Sequence, residues 1–286
     1  MIIVNLTYGL GNNLFQYALG RNLALKHNTE LLFDLSEQNR GRKEYLLNYL
    51  SHFNTVGRVA KKGQTAKIKL LNKFSFLNPR YKNSVFYEGF YEDGCDFDPR
   101  VLNAPENAYI HGYWPSEKYF KDARDIIRRD FTFKNSEGAD YERILKDINS
   151  SNSVSIHIRR GDYLWSKNLR LFATCTPDYF YKAEEIISEK VPSPKLFIFS
   201  DDIEWVKTNM PFSHPTIFVT DGKLTDYQEL ILMSACKHNI IANSTFSWWG
   251  AWLNSNSQKT VITPKKWFTV PTMSEKDLLP PEWIKL

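Results

Sequence analysis

The sequence predicts an α/β fold built on parallel sheet. Three observations carry that prediction: short apolar runs of strand length, helix-length amphipathic segments between them, and glycine or polar clusters directly after several runs. Strands joined through a helix lie parallel, and the loops at their C-terminal ends form the edge where such sheets bind ligands.

The chain opens as strand, glycine turn, helix and strand. Ile2 to Leu6 reads as the first strand and Gly9-Leu10-Gly11-Asn12-Asn13 as the turn. Leu14, Phe15, Ala18, Leu19 and Leu23 then recur at helical spacing, and Leu31-Leu32-Phe33-Asp34 reads as the next strand. Asp34 stands about twenty positions past the glycines, as in a dinucleotide-binding unit, which leaves an NAD-type oxidoreductase as an alternative. Leu14 occupies the place of the third fingerprint glycine, however, and this favours a plain strand-to-helix turn.

Residues 36–107 show little regular pattern. Within them Arg58, Lys61, Lys62, Lys67, Lys69 and Lys73 interleave with Ile68, Leu70, Leu71 and Phe74. That pattern fits a solvated helical face, or a basic amphipathic helix resting on an anionic membrane surface. Asp96-Phe97-Asp98 has the spacing of a metal-binding DxD but lies in a turn-rich run before Pro99, which favours a loop role. Tyr109 to Trp114 reads as a strand running into Pro115, and Ser116 as the cap of a helix through Ile127. A short helical pattern reaches Ile148. Asn149-Ser150-Ser151-Asn152-Ser153 then reads as a linker, giving two domains, 1–150 and 151–286.

From Ser153 onward the alternation is regular. Val154, Ile156 and Ile158 alternate with Ser155, His157 and Arg159, so the apolar set faces the core while His157 and Arg159 share the other face. A helix follows with Thr176 as cap and Pro177 at its first position. Leu196-Phe197-Ile198-Phe199 is the next strand, ending in Ser200-Asp201-Asp202, and Ile217-Phe218-Val219 is the third. Thr225 and Gln228 have capping-box spacing for a helix through Ala235. Ile240-Ile241-Ala242 is the fourth strand, ending in Asn243-Ser244-Thr245-Phe246-Ser247-Trp248-Trp249-Gly250, and Val261-Ile262 is the fifth. Three polar clusters thus fall on one sheet edge: 157–162, 200–202 and 243–250.

Composition narrows what those clusters meet. The 286 residues are 42% hydrophobic, enough for a substantial core, and 37 basic against 32 acidic side chains give +5. That balance suits a small anionic ligand, and no arginine arm or zinc-finger spacing supports a nucleic-acid reader. No apolar run approaches the ~18 residues of a membrane span, and the N-terminus turns polar too soon for a signal peptide. Cys95, Cys175 and Cys236 are scattered and read as reduced thiols. The expectation is a cytoplasmic protein, with peripheral contact at the inner membrane face.

Arg159 and Arg160 suit a diphosphate, because planar guanidiniums grip phosphate oxygens bidentately. The alternative is a pair of surface arginines satisfied by Asp162 and neighbouring carboxylates. The segment Asn243 to Ser247 offers hydroxyls and backbone N–H groups at a helix start. Asp201 and Asp202 suit hydrogen bonds from a base or ribose, or helix capping. Trp248, Trp249 and Trp252 either line a sugar site or, as their spacing favours, fill core. No Walker lysine, metal-ligand cluster or nucleophile signature stands out, so no metal and no cofactor is expected. Such a site suits departure of a nucleoside diphosphate from a sugar. With 15% aromatic residues, a non-catalytic sugar-binding module is the other alternative.

Several motifs in order match a known family. Gly9-Leu10-Gly11-Asn12-Asn13-Leu14-Phe15-Gln16, His111-Gly112-Tyr113-Trp114, His157-Ile158-Arg159-Arg160-Gly161-Asp162 and the Asn243 to Gly250 segment, followed by Pro264 and Trp267, span nearly the whole chain. The chain resembles bacterial α-1,2-fucosyltransferases of glycosyltransferase family 11. The resemblance implies a GT-B type fold, two Rossmann-like domains facing a cleft, with an N-terminal acceptor-side domain and a C-terminal donor domain. It implies GDP-β-L-fucose as donor and metal-independent, inverting transfer to a galactose 2-hydroxyl of an O-antigen, a related glycan or a lipid-linked oligosaccharide. A transferase using another GDP-sugar is the near alternative.

By position, Arg159 would hold the β-phosphate with Arg160 supporting the pocket, and His157 and Asp162 would shape it. Asp201 or Asp202 would lie near guanine, and Ser244, Thr245, Phe246 and Ser247 would contact phosphate beside Asn243. Asn12 matches an asparagine placed near the reacting centre in protein O-fucosyltransferases. Related α-1,6 enzymes carry a glutamate general base a few residues beyond the arginine motif. Here that stretch reads Tyr163-Leu164-Trp165-Ser166-Lys167, which leaves Asp162, another carboxylate, or late proton loss from an oxocarbenium-like transition state.

Overall fold

The computed structural model describes residues 1–36, 50–61, 63–74, 84–87, 96–134, 138–164, 170–270 and 273–286. The chain forms two compact units: Met1–Asn135 with Lys276–Leu278, and Ser136–Glu275 with Leu279–Leu286. The division falls ahead of the expected linker. Residues 139–149 form a helix (Ala139–Asn149) whose buried Tyr141, Ile144 and Ile148 belong with the second unit, and Asn152 already starts the next strand.

The first unit holds five strands: β1 (Ile2–Asn5), β2 (Leu31–Asp34), β3 (Arg58–Val59), β4 (Val85–Tyr87) and β5 (Ala108–His111). They lie parallel in the order β3-β2-β1-β5-β4. β3 and β4, of two and three residues, escape a periodicity argument. β1 is central and buried throughout, which is why it reads as an unbroken apolar run.

Helix α1 (Leu10–Lys26) starts four residues earlier than its apolar spacing suggests, because the glycine-asparagine segment itself forms the first turn. Its close seat on the sheet depends on Gly20: a Cβ there would stand 2.3 Å from Val4 Cγ2. The far side of α1 is tied down by Asp130, whose Oδ2 accepts Tyr17 Oη at 2.7 Å and Arg21 Nε at 2.9 Å.

The basic stretch after Val56 is divided. Arg58 lies on β3 and pairs with Glu30, while the lysines from 67 onward lie on α2 (Gln64–Lys73). Ile68 anchors α2 against Ile3, Leu32 and Tyr109, while Leu70 and Phe74 stay 56% and 42% exposed. The helix expected from Ser116 is broken. Ser116 caps a 3-10 turn (Glu117–Tyr119), Phe120 at φ −139° interrupts it, and a second turn (Lys121–Ala123) leads into α3 (Arg124–Asp130). Tyr119 and Phe120, on either side of the break, are both fully buried.

The second unit contains α4 (Ala139–Asn149), β6 (Asn152–Ile158), α5 (Pro177–Lys190), β7 (Pro194–Ser200), α6 (Ile203–Asn209) and β8 (Thr216–Phe218). It continues with α7 (Asp226–Ala235), β9 (His238–Ile240), α8 (Thr245–Leu253), β10 (Val261–Thr263) and β11 (Ile284–Lys285). The sheet order is β11-β10-β9-β6-β7-β8, all parallel. Counted from the unit's own first strand this is 3-2-1-4-5-6, the doubly wound dinucleotide-fold order, whose switch point lies between β6 and β9. β11, two residues at the C-terminus, is the strand that sequence pattern misses.

β6 departs from simple alternation. Ser155 and His157 are as buried as the apolar set, because a central parallel strand is covered on both faces. Trp248, Trp249 and Trp252 are core: their rings pack together and Trp248 meets Trp283 at 5.6 Å.

Gly20→Ala should destabilise the protein. Overpacking costs about 1–3 kcal/mol, more than the roughly 1 kcal/mol gained in helix propensity. A lowered urea midpoint checks this; an unchanged or raised one refutes the close seat of α1.

Candidate functional site

Parallel register builds the charged edge of the second unit. β6 and β7 pair with Ile158 opposite Ser200, so the next residues, Arg159 and Arg160, face Asp201 and Asp202. The side chains meet accordingly. Arg159 Nη1 lies 3.1 Å from Asp201 Oδ2, and Arg160 Nε lies 3.2 Å from Asp202 Oδ2. The Arg160 backbone N–H also donates to Asp201 Oδ1 at 2.9 Å. Gly161 makes room: a Cβ there would stand 2.5 Å from Asp201 Oδ2.

The two arginines are held differently. Arg160 is sandwiched, with its guanidinium carbon 3.2 Å from the centroid of Trp205 on α6. Arg159 lies over the Tyr163 ring at 5.6 Å, and its side chain is 31% exposed. A guanidinium has five N–H donors, more than one carboxylate accepts, so a paired arginine can still take a second anion while its partner fixes its orientation.

Tyr163 links this edge to the loop after β9. Its hydroxyl donates to the Asn243 carbonyl at 2.8 Å and its ring stacks on Phe172 at 4.9 Å. Asn243 is a brace: its amide donates to the carbonyls of Ala173 and Trp267 at 2.6 and 3.0 Å. Ser244 is the N-cap residue of α8, and Thr245 and Phe246 form its half-buried first turn. Ser247 is fully buried, its hydroxyl donating to the carbonyls of Ala242 and Ser244. His157 lies beneath, 5.3 Å from the Phe246 ring. Burial, and then the Arg159 charge, lower its pKa to about 3, so it is a neutral spacer. Its Nδ1 is buried without a hydrogen-bond partner among the described residues.

The structure therefore brings His157, Arg159, Arg160, Asp201, Asp202 and the 243–247 segment to one sheet edge. Asn12 belongs to the first unit, on the first turn of α1, and the Asp162 side chain lies outside the described residues. Pattern reading misses Trp205, since stacking on a guanidinium leaves no sequence spacing. It also misses Glu229, whose carboxyl burial raises to about 8. Thr220 donates to Glu229 and accepts from the Ser200 backbone, which braces the end of β7.

The first unit has its own edge, where the strand order reverses between β1 and β5. Gln16 joins the two loops there: it accepts from Thr7 N–H and donates to the Thr7 hydroxyl and the Gly112 carbonyl. Asn13 donates to the carbonyls of Thr7, Tyr8 and Gly9. Tyr8 and Trp114 sit at φ +65° and +55°, a costly conformation for a residue with a Cβ.

Two carboxylates that the sequence singles out are engaged within the protein. Asp34 is turned inward, accepting from Tyr109 Oη and Ser36 N–H, so it is not presented to a ribose. Asp98 is engaged by Arg100, which holds its carboxyl below the usual range, and it caps the 3-10 turn at Pro99–Asn103. Among the described residues no group of three or more His, Cys, Asp or Glu side chains is placed to hold a metal ion.

Comparison with known proteins agrees with this architecture. The family model described as Glycosyl transferase family 11 matches residues 1–286. An "Alpha-1,2-colitosyltransferase" of Escherichia coli is 31% identical, covering 100% of this chain and 99% of its own. The "O-antigen biosynthesis glycosyltransferase WbnK" of Escherichia coli is 29% identical over 98% of this chain and 99% of its own. Structures of the α-1,6-fucosyltransferase NodZ share the fold at 12–14% identity. One, soaked with GDP-fucose, has a TM-score of 0.50 over 88% of this chain and 91% of that one. Another, from Bradyrhizobium, has 0.51 over 87% and 91%. The fold is of the GT-B type, two Rossmann-like α/β units, and the protein is a glycosyltransferase. It belongs to glycosyltransferase family 11.

The neutral burial of His157 makes stability depend on pH. Its folded pKa lies below the ordinary 6.5, so the unfolded chain binds the proton more readily. This contribution is complete above that ordinary value and is lost as pH falls toward about 3, at up to about 1.4 kcal/mol per pH unit. His157→Asn should flatten stability against pH between 6 and 4 (measured by urea denaturation); an unaltered slope contradicts the assignment.

Proposed function

We propose that the protein transfers L-fucose from GDP-β-L-fucose, with inversion, to the 2-hydroxyl of a galactose in an O-antigen or lipid-linked oligosaccharide. The observation that carries this reading is the register-matched pair Arg159–Asp201 and Arg160–Asp202 beside the N-terminus of α8. Relatives named for α-1,2 transfer and O-antigen biosynthesis support the linkage and the glycan class. A fold relative soaked with GDP-fucose supports the donor.

The chemistry follows from charge. When the glycosidic bond to the diphosphate breaks, negative charge grows on the departing β-phosphate. Arg159, oriented by Asp201, meets that charge; Arg160, fixed by Trp205 and Asp202, sets the local potential. The opening amides of α8 add the positive end of the helix dipole. Both oxygens of Asp201 already serve the arginines, so Asp202 is the better acceptor for guanine N–H groups. The neutral His157 adds no competing cation and fills the floor. With two guanidiniums and a helix terminus supplying positive charge, we infer that no metal ion or other cofactor is needed. The acceptor proton passes to a carboxylate such as Asp162, or leaves late.

A second reading keeps the mechanism and changes the sugar: the relative named for colitosyl transfer favours another nucleotide sugar as donor. Release of nucleotide from GDP-fucose, GDP-mannose and UDP-galactose, with product linkage read by NMR, separates the two.

We also infer that the enzyme works in the cytoplasm at the inner membrane face. Among the described residues no helix is long and apolar enough to cross a membrane. The exposed Leu70 and Phe74, with Lys67 and Lys73 also exposed on α2, fit an anionic bilayer.

Arg159→Ala should lower kcat/KM on the order of 10²–10³-fold and weaken GDP binding while leaving the melting temperature near wild type; near-normal turnover ends the phosphate assignment. In the same assay wild-type activity should survive EDTA. Vesicles containing phosphatidylglycerol should sediment the wild type but not the Lys67→Glu/Lys73→Glu variant, and equal sedimentation of both rejects the membrane contact.

A further inference from the structure

We infer that the ring of Tyr8 is the platform on which the acceptor sugar stacks. This rests on the transferase reading and names a residue of the acceptor side. Tyr8 lies in the loop between β1 and α1, at the point where the first sheet's strand order reverses. Doubly wound sheets bind ligands at that point of the C-terminal edge.

The backbone gives the first argument. Tyr8 has φ +65°, a conformation glycine adopts at no steric cost and tyrosine does not. Its neighbour Gly9 has an ordinary φ of −88°, and a Cβ added there would meet nothing within 4 Å. The loop thus puts glycine where none is required and a tyrosine where glycine fits best. Tyr8 is nonetheless 55% exposed.

The loop's rigidity gives the second argument. Two buried side chains, Asn13 and Gln16, hold it with three hydrogen bonds each: Asn13 to the carbonyls of residues 7, 8 and 9, Gln16 to Thr7 twice and to Gly112. A half-exposed aromatic ring on an immobilised, strained loop is pre-organised apolar surface.

The ligand's class follows from what the ring offers. An aromatic face carries negative quadrupole potential and attracts the C–H-rich face of a pyranose, while the phenol hydroxyl can hydrogen-bond a sugar hydroxyl. The adjoining segments, residues 6–9 and 111–115, contain no lysine or arginine, so these two loops suit a neutral sugar over a diphosphate.

The test uses Tyr8→Gly, Tyr8→Ala and Tyr8→Phe in the full-length enzyme, with lactose and a panel of galactose-terminated oligosaccharides as acceptors. Tyr8→Gly relieves the positive φ, so its melting temperature should equal or exceed wild type. Its acceptor KM should nonetheless rise on the order of tenfold, with the dissociation constant for GDP unmoved. Tyr8→Ala should lose acceptor affinity similarly, and Tyr8→Phe, which keeps the ring, should restore most of it. A Tyr8→Gly enzyme with wild-type acceptor KM would overturn the inference alone. A wild type that releases GDP from GDP-fucose with no acceptor of the panel would count against the transferase reading as well.

Discussion

The pairing of β6 with β7 is the constraint from which the charged edge follows. With Ile158 opposite Ser200, two consecutive arginines leave one strand beside two consecutive aspartates leaving the next. Parallel register keeps i opposite j along the ladder, so a single choice of register produces both ion pairs at once. A slip of one residue would break both pairs and turn every β6 side chain to the wrong face. Exposed pairs of this kind contribute little to stability, about 0–1 kcal/mol each. Their value lies in orientation, since each carboxylate removes rotamer freedom from a long cationic side chain before any ligand arrives.

That cluster is also electrically balanced, two positive charges against two negative. A neutral set can sit half-buried at the end of a core strand without the desolvation cost of an isolated cation. In the proposed reaction an arriving diphosphate would change the balance, and Arg159 and the opening of α8 would be the groups to answer it. Trp205 serves Arg160 in the same sense from beneath, holding the guanidinium flat by its face. The buried, neutral His157 completes the design by occupying volume next to Arg159 without adding charge.

Much of this was legible in the sequence because its signals are local. The apolar runs of β1, β2, β6 and β7, the Thr225–Gln228 capping box and the polar clusters after each strand all lie within a few residues of one another. What escaped depends on partners far along the chain. The burial of Ser155 and His157 follows from helices on both sides of β6, the Arg160–Trp205 stack from the placement of α6, and β11 from a hydrogen-bonded neighbour that a two-residue strand cannot announce. The early start of α1 escaped for another reason. Glycine and asparagine are poor helix formers, and Asn13's hold on the carbonyls of residues 7–9 braces a helix opening there.

The two sheets repeat one construction with opposite chemistry. In each, a central strand buried on both faces ends at the reversal of strand order, and the loop that follows is clamped by side chains from adjoining segments. In the second unit the clamped groups are guanidiniums, and the clamps are Asp201, Asp202 and Tyr163. In the first they are an exposed tyrosine and a buried tryptophan, both at positive φ, and the main clamps are the amides Asn13 and Gln16. Amide clamps add no charge to these two loops, whereas carboxylate clamps would have drawn in cations and made a second anion site. In the proposed reaction the guanidiniums clamped by carboxylates would serve the nucleotide and the loop clamped by amides the acceptor sugar, so the choice of clamping residue would separate the two within a single kind of fold.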